Sequence, residues 1–426
     1  MYGVIGSTSR KLKKLYGTIG STTRKIKKVY GVVGGVTRLI FSGGADSRIC
    51  AMVYGKRQAR ICTISEGKID KVIQEITIPT GDSSISSTTY TVNFGTNRNY
   101  VTFHGDYDGT SVYKLSGSTY ILYGSVTHDQ VLDDSGLASS YFYVKAAQVT
   151  TDGQYLIIAG SGKTSSSTSI QWTYVFVYKY NGSGFTYVNK YQLIKKSWSS
   201  CYISPDGRTI MGEIYNNDGA QGCVAYQSSA PFSTWTQVYK DTIYCDYYYN
   251  QSVSVPTTSF KYWLTPESAS AKNTEKNYNY SQIVYWTGSA GTIIYDLQET
   301  SSKYYDFRGI AESADGKSVY VSKVYFYSSS SGYRTYIECF SVSGASITYL
   351  GKYYISSTNK TVIYEITTDN YALAYESSYN GGSDTSTLTH SISFIALSLS
   401  DGLITAHSST AINTSSSISE DCIEMM

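Results

Sequence analysis

Apolar and polar residues alternate along most of the chain in short runs that are separated by polar turns. This period of two indicates β-strands, because an amphipathic helix would repeat every 3.6 residues. Between residues 145 and 193 four such runs follow one another: KAAQVTT, QYLIIAG, TYVFVYKY and GFTYVNKYQL. The pattern predicts a unit of four strands.

Related strand pairs recur around short turns over the rest of the chain. The turns lie near Asp46, Asn97, Asp152, Asp206, Thr258, Asp315 and Asp369, at separations of 51, 55, 54, 52, 57 and 54 residues. A regular period of this size indicates a solenoid or a propeller. Seven units of four strands predict an all-β protein with a seven-bladed β-propeller, in which closure into a ring removes exposed strand edges.

The turns resemble the first hairpin of the blades in many propeller families. Residues 204–207 have the sequence S-P-D-G, and related turns have T-T-D-G and S-A-D-G. Proline fixes φ, and Asp-Gly suits the tight turn between the innermost strand and its neighbour. The resemblance covers about residues 36–410 and concerns architecture, because propellers include hydrolases, lyases, lectins and scaffolds.

One face of the predicted propeller carries the loops between second and third strands together with the links between blades. Several of these loops are long and rich in Tyr, Ser, Gly and Asn: 161–169, 215–222, 265–281, 327–334 and 377–389. This composition is typical of adaptable recognition surfaces. Surface loops that merely tolerate variation are the alternative.

Aromatic residues make up 15% of the chain, including 45 tyrosines, and charged residues only 16%. This composition supplies enough surface to bury, which argues against disorder. The seven cysteines are widely spaced and form no CxxC motif: Cys50, Cys62, Cys201, Cys223, Cys245, Cys339 and Cys422. We expect buried thiols rather than disulfides or a zinc site.

The motifs that could carry chemistry are incomplete. G-K-T at 162–164 lacks the earlier glycine of a phosphate-binding loop, since Ile157 stands there. The run HGDYDGTS from His104 lacks the further ligands of a calcium loop, so a hairpin tip is predicted. The sequence therefore assigns no catalytic residue, metal or cofactor and favours a protein without enzymatic activity. Carboxylates that meet only in the fold keep a polysaccharide-degrading enzyme as an alternative.

Aromatic residues in the links between blades are the candidate ligand contacts. Trp198 precedes an innermost strand, and Tyr247, Tyr248 and Tyr249 follow Cys245 in another link. Both places belong to the face with the long loops. Packing within the protein is the alternative explanation.

Residues 1–40 form a basic arm built from a 14-residue unit. The arm contains nine Lys and Arg and no acid, whereas the rest of the chain has 26 basic and 32 acidic residues. A heptad of apolar residues would allow a coiled coil, but seven glycines oppose a helix. Repeated Gly-Ser and Gly-Gly pairs favour β-hairpins, which are too thin to bury an apolar face without a partner. Residues repeated in these units are the candidate attachment residues: Tyr2, Arg10, Lys11, Tyr16, Arg24, Lys25, Tyr30 and Arg38.

The tandem units, such as RKIKKVYGVVGGVTRLIFSGG in residues 24–44, resemble those that open virion proteins of phages or prophages of Gram-positive gut bacteria. In such proteins the repeats precede a propeller. The resemblance implies attachment to other virion proteins through residues 1–40, presence in multiple copies or as a homo-oligomer, and localisation to the virion, assembled in the host cytoplasm and extracellular after lysis. This chain departs from the pattern by using Gly-Ser at two turns and by lacking a kelch Gly-Gly signature, which leaves the propeller subtype open.

These expectations give a domain plan and a function. Residues 1–40 are the attachment arm, 41–410 the propeller and 411–426 a C-terminal tail. The propeller is expected to display a face for adhesion to host-surface glycan. A decoration protein without a ligand, and a propeller glycosidase or lyase, are the alternatives. Nucleic acid is not favoured as a partner, because a simple basic tail would suffice for it, and no run of residues is long enough for a membrane span.

Overall fold

The structure is a computed structural model, and it describes the following residues, which include the paired strands of the arm: 2–5, 8–11, 16–19, 22–25, 28–33, 36–42, 48–55, 57–65, 68–79, 90–95, 98–137, 142–163, 171–215, 220–240, 243–244, 255–266, 280–298, 305–328, 332–356, 359–367, 370–378, 389–415 and 423–425.

In the arm, six strands pair as three successive antiparallel hairpins: β1 (Tyr2–Ile5), β2 (Thr8–Lys11), β3 (Tyr16–Ile19), β4 (Thr22–Lys25), β5 (Lys28–Val33) and β6 (Val36–Ser42). The backbone register repeats with the sequence unit. Tyr2 is opposite Lys11 in the first hairpin, and Tyr16 is opposite Lys25 in the second. One 14-residue unit therefore corresponds to one hairpin.

The propeller begins with three strands of blade 1: β7 (Arg48–Gly55), β8 (Gln58–Ser65) and β9 (Lys68–Thr77). Blade 2 contains β10 (Tyr90–Phe94), β11 (Tyr100–Gly105), β12 (Gly109–Ser116) and β13 (Thr119–Val126). Helix α1 (His128–Ser135) follows it. Blade 3 contains β14 (Phe142–Val149), β15 (Tyr155–Gly162), β16 (Trp172–Tyr180) and β17 (Phe185–Gln192). These strands match the four predicted for residues 145–193 to within about three residues.

Blade 4 contains β18 (Ser197–Ile203), β19 (Thr209–Tyr215), β20 (Ala220–Gln227) and β21 (Thr236–Lys240), and β22 (Ile243–Tyr244) also pairs with β20. Blade 5 contains β23 (Val255–Pro256), β24 (Tyr262–Pro266), β25 (Tyr280–Trp286) and β26 (Gly291–Gln298). Blade 6 contains β27 (Tyr305–Glu312), β28 (Ser318–Ser328), β29 (Gly332–Ser343) and β30 (Ser346–Ser356). Blade 7 contains β31 (Asn359–Ile366), β32 (Tyr371–Ser378), β33 (Thr389–Ser400) and β34 (Leu403–Ser415).

The innermost strand of blade 1 comes from the far end of the chain. Strand β35 (Ile423–Met425) pairs antiparallel with β7, with Ile423 opposite Met52. The turn near Asp46 predicts that the innermost strand of blade 1 lies just before it in the sequence. The strand at that place is β6, which pairs with β5 in the arm instead. Residues of the predicted tail thus contribute to two blades, since β34 also continues to Ser415.

A repeated hydrogen-bonded turn joins the first two strands of a blade and explains the sequence period. In blade 4 the Ser204 hydroxyl donates to Asp206 Oδ1 (2.6 Å), which also accepts from the backbone N–H of Arg208 (3.1 Å). Gly207 has a φ of 76°, a left-handed conformation that glycine adopts without a steric penalty. The turns at Asp152 and Asp315 contain the same bonds. The predicted turns at these three positions are confirmed.

The blades pack against one another through buried side chains around the whole ring. Each of six buried clusters joins neighbouring blades: blades 2 and 3, 3 and 4, 4 and 5, 5 and 6, 6 and 7, and finally 7, 1 and 2. The last cluster brings Leu373 and Phe394 of blade 7 together with Cys50 of blade 1 and Phe103 of blade 2. The fold is a seven-bladed β-propeller, as the sequence predicted.

Three further observations complete the description of the fold. Helix α1 was not foreseen from the sequence; Thr127 caps it by accepting a hydrogen bond from the N–H of Gln130 (3.1 Å). The described residues contain no helix long and apolar enough to cross a membrane. Five cysteines are buried, as expected: Cys50, Cys62, Cys201, Cys223 and Cys339. Cys245 and Cys422 lie outside the described residues.

The pairing of β35 with β7 predicts that deletion of residues 423–426 destabilises the propeller. The deletion leaves the backbone hydrogen-bonding groups of β7 unpaired and creates an exposed strand edge, which favours self-association. We expect the melting temperature to fall by several degrees and oligomers to appear in light scattering. Deletion of residues 1–4 removes the same number of residues outside the ring and is the control. Equal melting temperatures for the two truncations would contradict the role of β35.

Candidate functional site

The first strands of blades 2 to 7 surround a cavity on the axis of the propeller, called here the axial cavity. Its volume is about 360 Å³. The lining residues come from six blades: Thr91, Val92, Asn93, Phe94, His104, Asp106, Lys145, Ala146, Gln148, Ser200, Cys201, Tyr202, Ile203, Pro205, Val255, Pro256, Thr257, Thr258, Phe260, Ile310, Tyr364, Glu365 and Leu373. Asp106 marks the end nearest the loops between second and third strands, and Pro205 and Thr258 mark the opposite end.

Bulges in the innermost strands help to place polar side chains in the axial cavity. The register of β14 with β15 shifts between Val144 and Ala146, so Lys145 is the additional residue. A shift at the corresponding place in β31, between Ile363 and Glu365, makes Tyr364 the additional residue. A bulge changes the direction of side chains locally. Lys145 and Tyr364 both line the cavity.

His104 supplies a buried neutral imidazole to the axial cavity. Its side chain is 2% exposed, and neither Nδ1 nor Nε2 has a hydrogen-bond partner in the described part of the protein. Burial, together with the smaller effect of the positive charge of Lys145, lowers the pKa of His104 to about 3. At neutral pH the ring therefore offers one N–H donor and one nitrogen acceptor, both of which remain available.

Gln148 is the second buried polar group of the axial cavity, and it is 1% exposed. Its Nε2 donates to the carbonyl oxygen of Val149 (3.0 Å) and, at 3.5 Å, to that of Pro205. These bonds fix the orientation of the amide. Its Oε1 has no partner among the described residues and is free to accept a hydrogen bond.

An ion pair and two tyrosines lie at the loop-side end of the axial cavity; we call Asp106, Tyr107, Tyr143 and Lys145 the rim. Lys145 Nζ is 3.5 Å from Asp106 Oδ2 and 5.7 Å from the centroid of the Tyr143 ring. The rings of Tyr107 and Tyr143 pack edge to face at 5.1 Å. The rim therefore combines aromatic surface with one paired positive and one paired negative charge.

The predicted hairpin tip at HGDYDGTS is confirmed, because Gly105 pairs with Gly109 across the turn between β11 and β12. Its two carboxylates form ion pairs with neighbouring blades. Asp106 contacts Lys145 of blade 3, and Asp108 Oδ1 lies 3.3 Å from Arg57 Nη2 of blade 1. The alternating carboxylates thus connect three blades.

Some kinds of chemistry do not fit the described lining. Burial raises the pKa of the Cys201 thiol, so it stays protonated at neutral pH and is a poor nucleophile. No group of three or more His, Cys, Asp or Glu side chains among the described residues could hold a metal ion. Two carboxylates, Asp106 and Glu365, do line the same cavity.

The structure places Trp198 differently from the expected ligand contact. It lies in β18, is 2% exposed and packs with Ile157, Val175 and Ile214 between blades 3 and 4. The expectation for Trp198 is therefore corrected: its ring fills the core, and no face of it is open to a ligand. Tyr247, Tyr248 and Tyr249 lie outside the described residues, as do most residues of the long loops.

The proposed attachment residues all lie in described strands of the arm, but their side chains are not described: Tyr2, Arg10, Lys11, Tyr16, Arg24, Lys25, Tyr30 and Arg38. His128 is 4% exposed at the start of α1, and its Nε2 lies 3.0 Å from the carbonyl oxygen of Phe142.

Sequence reasoning missed the residues of the axial cavity. His104 was assigned only to a hairpin tip, and Lys145 and Gln148 only to a strand. Gln148 was one available signal, because a polar residue in the mostly apolar innermost strand of blade 3 indicates a polar site near the axis.

Comparison with known proteins supports the fold. No protein-family model and no curated protein matches the sequence. The structure is similar to that of a "putative 6-phosphogluconolactonase" from Bacteroides uniformis, with a TM-score of 0.51 and 11% identity over 89% of this chain and 100% of that chain. A protein from Lactobacillus plantarum gives a TM-score of 0.49 and 12% identity over 89% of this chain and 99% of the other. At these identities the likeness is one of fold, and the chain is a seven-bladed β-propeller with an axial cavity lined by both polar and apolar residues.

The pKa of His104 predicts an acid-sensitive stability. An unfolded histidine has a pKa of about 6.5, so between about pH 6.5 and pH 3 the unfolded chain takes up a proton that folded His104 does not. The free energy of unfolding should therefore decrease as the pH is lowered from about 6.5 to about 3. His104 contributes at most about 1.4 kcal/mol to this decrease per pH unit. Urea unfolding of His104→Gln should show a shallower fall than the wild type.

The His407→Gln variant, which changes an exposed histidine of β34, controls for the removal of a histidine as such. Identical pH profiles for the wild type and His104→Gln would show that His104 is not held neutral by burial.

Proposed function

We propose that this protein is a structural component of a phage particle, attached through residues 1–40, whose propeller adheres to host-surface glycan. The observation that carries the proposal is the order of two parts: a repeated basic arm, and behind it a closed propeller whose axial cavity contains buried polar groups. An arm of two-stranded hairpins buries little apolar surface by itself and gains stability from a partner. The resemblance of its repeats to those of virion proteins supports the particle as that partner.

The adhesion half of the proposal is supported by the axial cavity and its rim. Recognition sites for small molecules combine hydrophobic and aromatic surface with a few fixed polar groups. The cavity supplies Phe94 and Phe260 as aromatic surface and His104 and Gln148 as buried polar groups. Glycans present both hydroxyl groups and apolar ring faces, so they match this combination.

The attachment half predicts that the arm is required for incorporation into particles. In cells that assemble the particle, a chain lacking residues 1–40 should fold but be absent from purified particles, because the propeller alone lacks the docking segment. Quantitative mass spectrometry of the particles measures copies per particle. The full chain with Gln148→Leu, which changes only the cavity, should be incorporated normally. Equal incorporation of the chain without residues 1–40 would refute attachment through the arm.

The second candidate function is degradation of a surface polysaccharide. The observation in its favour is that Asp106 and Glu365 line one cavity, since glycosidases act with two carboxyl groups on either side of the scissile bond. The name of the Bacteroides uniformis protein refers to the hydrolysis of a phosphorylated sugar lactone, a second kind of hydrolytic chemistry.

The enzymatic candidate is tested by incubating the full chain with host cell-wall polysaccharide and measuring the release of reducing ends. We expect no release above background from the wild type, because adhesion requires binding without turnover. Release by the wild type that falls at least a hundredfold in both Asp106→Asn and Glu365→Gln would replace the adhesion proposal with a glycosidase. Ser183→Ala, an exposed change in the β16–β17 turn, is the control variant.

A further inference from the structure

We infer that the axial cavity binds one uncharged polyhydroxyl ring, a monosaccharide or the terminal sugar of a glycan chain, held by His104 and Gln148. The inference rests on the adhesion half of the proposed function and specifies its site and ligand class. It is independent of the arm.

The size of the axial cavity limits the ligand to about one ring. Its 360 Å³ lies near the lower end of the roughly 300–1,000 Å³ typical of small-molecule sites. Along β14, Lys145 at the rim and Gln148 are three residues apart, which corresponds to about 10 Å. A sugar ring with its outer hydroxyl groups has about this length, whereas an oligosaccharide would extend beyond the rim.

The unpaired polar atoms of the axial cavity call for a ligand with hydroxyl groups. Neutral His104 presents one donor and one acceptor, and Gln148 Oε1 presents a further acceptor, all without a partner among the described residues. Buried polar groups without partners destabilise the folded protein. A hydroxyl group can pair with a donor or with an acceptor, because it both donates and accepts hydrogen bonds. Neighbouring hydroxyl groups on one ring can pair with His104 and Gln148 at the same time.

The charges of the axial cavity select against an anion. Its described lining contains two carboxylates, Asp106 and Glu365, and one ammonium group, that of Lys145. Lys145 is already within 3.5 Å of Asp106, and His104 is uncharged because burial holds its pKa low. A phosphorylated or acidic sugar would therefore meet two carboxylates and, among the described lining residues, only one ammonium group, which is already paired, whereas a neutral sugar needs no cation.

The aromatic side chains provide the remaining contact surface. Phe94, Tyr202, Phe260 and Tyr364 line the axial cavity from four different blades. A sugar ring has apolar C–H faces that can pack against such rings, while its hydroxyl groups at the edge reach the polar atoms. The lining therefore combines both kinds of surface that a polyhydroxyl ring presents.

The first test observes His104 directly in the folded wild-type protein. The chain has only 4 histidines, so the imidazole signals in an NMR spectrum are few and the one missing in His104→Gln identifies His104. The probes are D-glucose, D-galactose, L-rhamnose and N-acetyl-D-glucosamine at millimolar concentration, and D-glucose 6-phosphate as the anionic comparator. At least one neutral sugar should shift the His104 signal in a saturable way and leave exposed His407 unchanged. The phosphate should bind at least tenfold more weakly than the corresponding neutral sugar.

The second test uses variants of the cavity. Gln148→Leu and His104→Phe should each weaken binding of the active sugar about tenfold, the equivalent of one hydrogen bond of about 1.4 kcal/mol. Gln192→Leu, an exposed glutamine at the end of β17, is the matched control and should leave binding unchanged. Host cell-wall polysaccharide replaces the monosaccharides in a parallel titration, and a shift of His104 by the polysaccharide alone identifies a terminal glycan residue as the ligand.

Three results would overturn the inference. The first is that no neutral sugar or polysaccharide shifts the His104 signal, which means that the cavity holds water only. The others are that D-glucose 6-phosphate binds as tightly as the neutral sugar, or that Gln148→Leu leaves the affinity for the sugar unchanged. If glycan binding persists while His104 and Gln148 have no effect on it, the proposed adhesion stands and the cavity is not its site. If the wild-type protein binds no glycan at all, the adhesion proposal itself is refuted.

Discussion

The structure depends on the closure of seven sheets into a ring. Each blade is covered on both faces only by its neighbours, and the buried clusters connect blade to blade until blade 7 meets blades 1 and 2. The closing contact includes three residues of β35, which supply the innermost strand of blade 1. Without closure blades 1 and 7 would each expose an apolar face, and blade 1 would also expose the edge of β7. Ring closure therefore accommodates the tyrosine-rich composition, because every blade has two neighbours that cover its faces.

The same closure creates the candidate site. Innermost strands from different blades converge on the axis, where twisted sheets cannot fill the centre completely with backbone. Bulges in β14 and β31 place Lys145 and Tyr364 in the remaining space, and the second strand of blade 2 adds His104. Burial keeps that imidazole neutral, so the cavity offers hydrogen bonds without adding positive charge. The binding proposal follows from this combination of paired charges and unpaired polar atoms.

The sequence predicted what depends on local chemistry. The Ser/Thr-x-Asp-Gly turns of blades 3, 4 and 6 form because one side-chain carboxylate and one left-handed glycine suffice for each turn. The spacing of these three turns and of the four related turns predicted the number of blades. What depends on distant parts of the chain was not predictable. Strand β35 is separated from β7 by more than 350 residues, and His104 and Gln148 belong to different blades. Trp198 was misassigned because strand and link sequences are alike at that boundary, and only the burial of its ring distinguishes core from surface.

The origin of the closing strand has a consequence for biosynthesis. Residues 48–77 leave the ribosome early, yet blade 1 obtains its fourth strand only when residues 423–425 have been translated. Until then the nascent propeller is an open arc that chaperones and proteases can recognise by its exposed first blade. A chain interrupted by premature termination cannot complete the circle, whereas one that includes these residues can. Because β35 completes blade 1, the closed ring can form only after translation has reached residue 425.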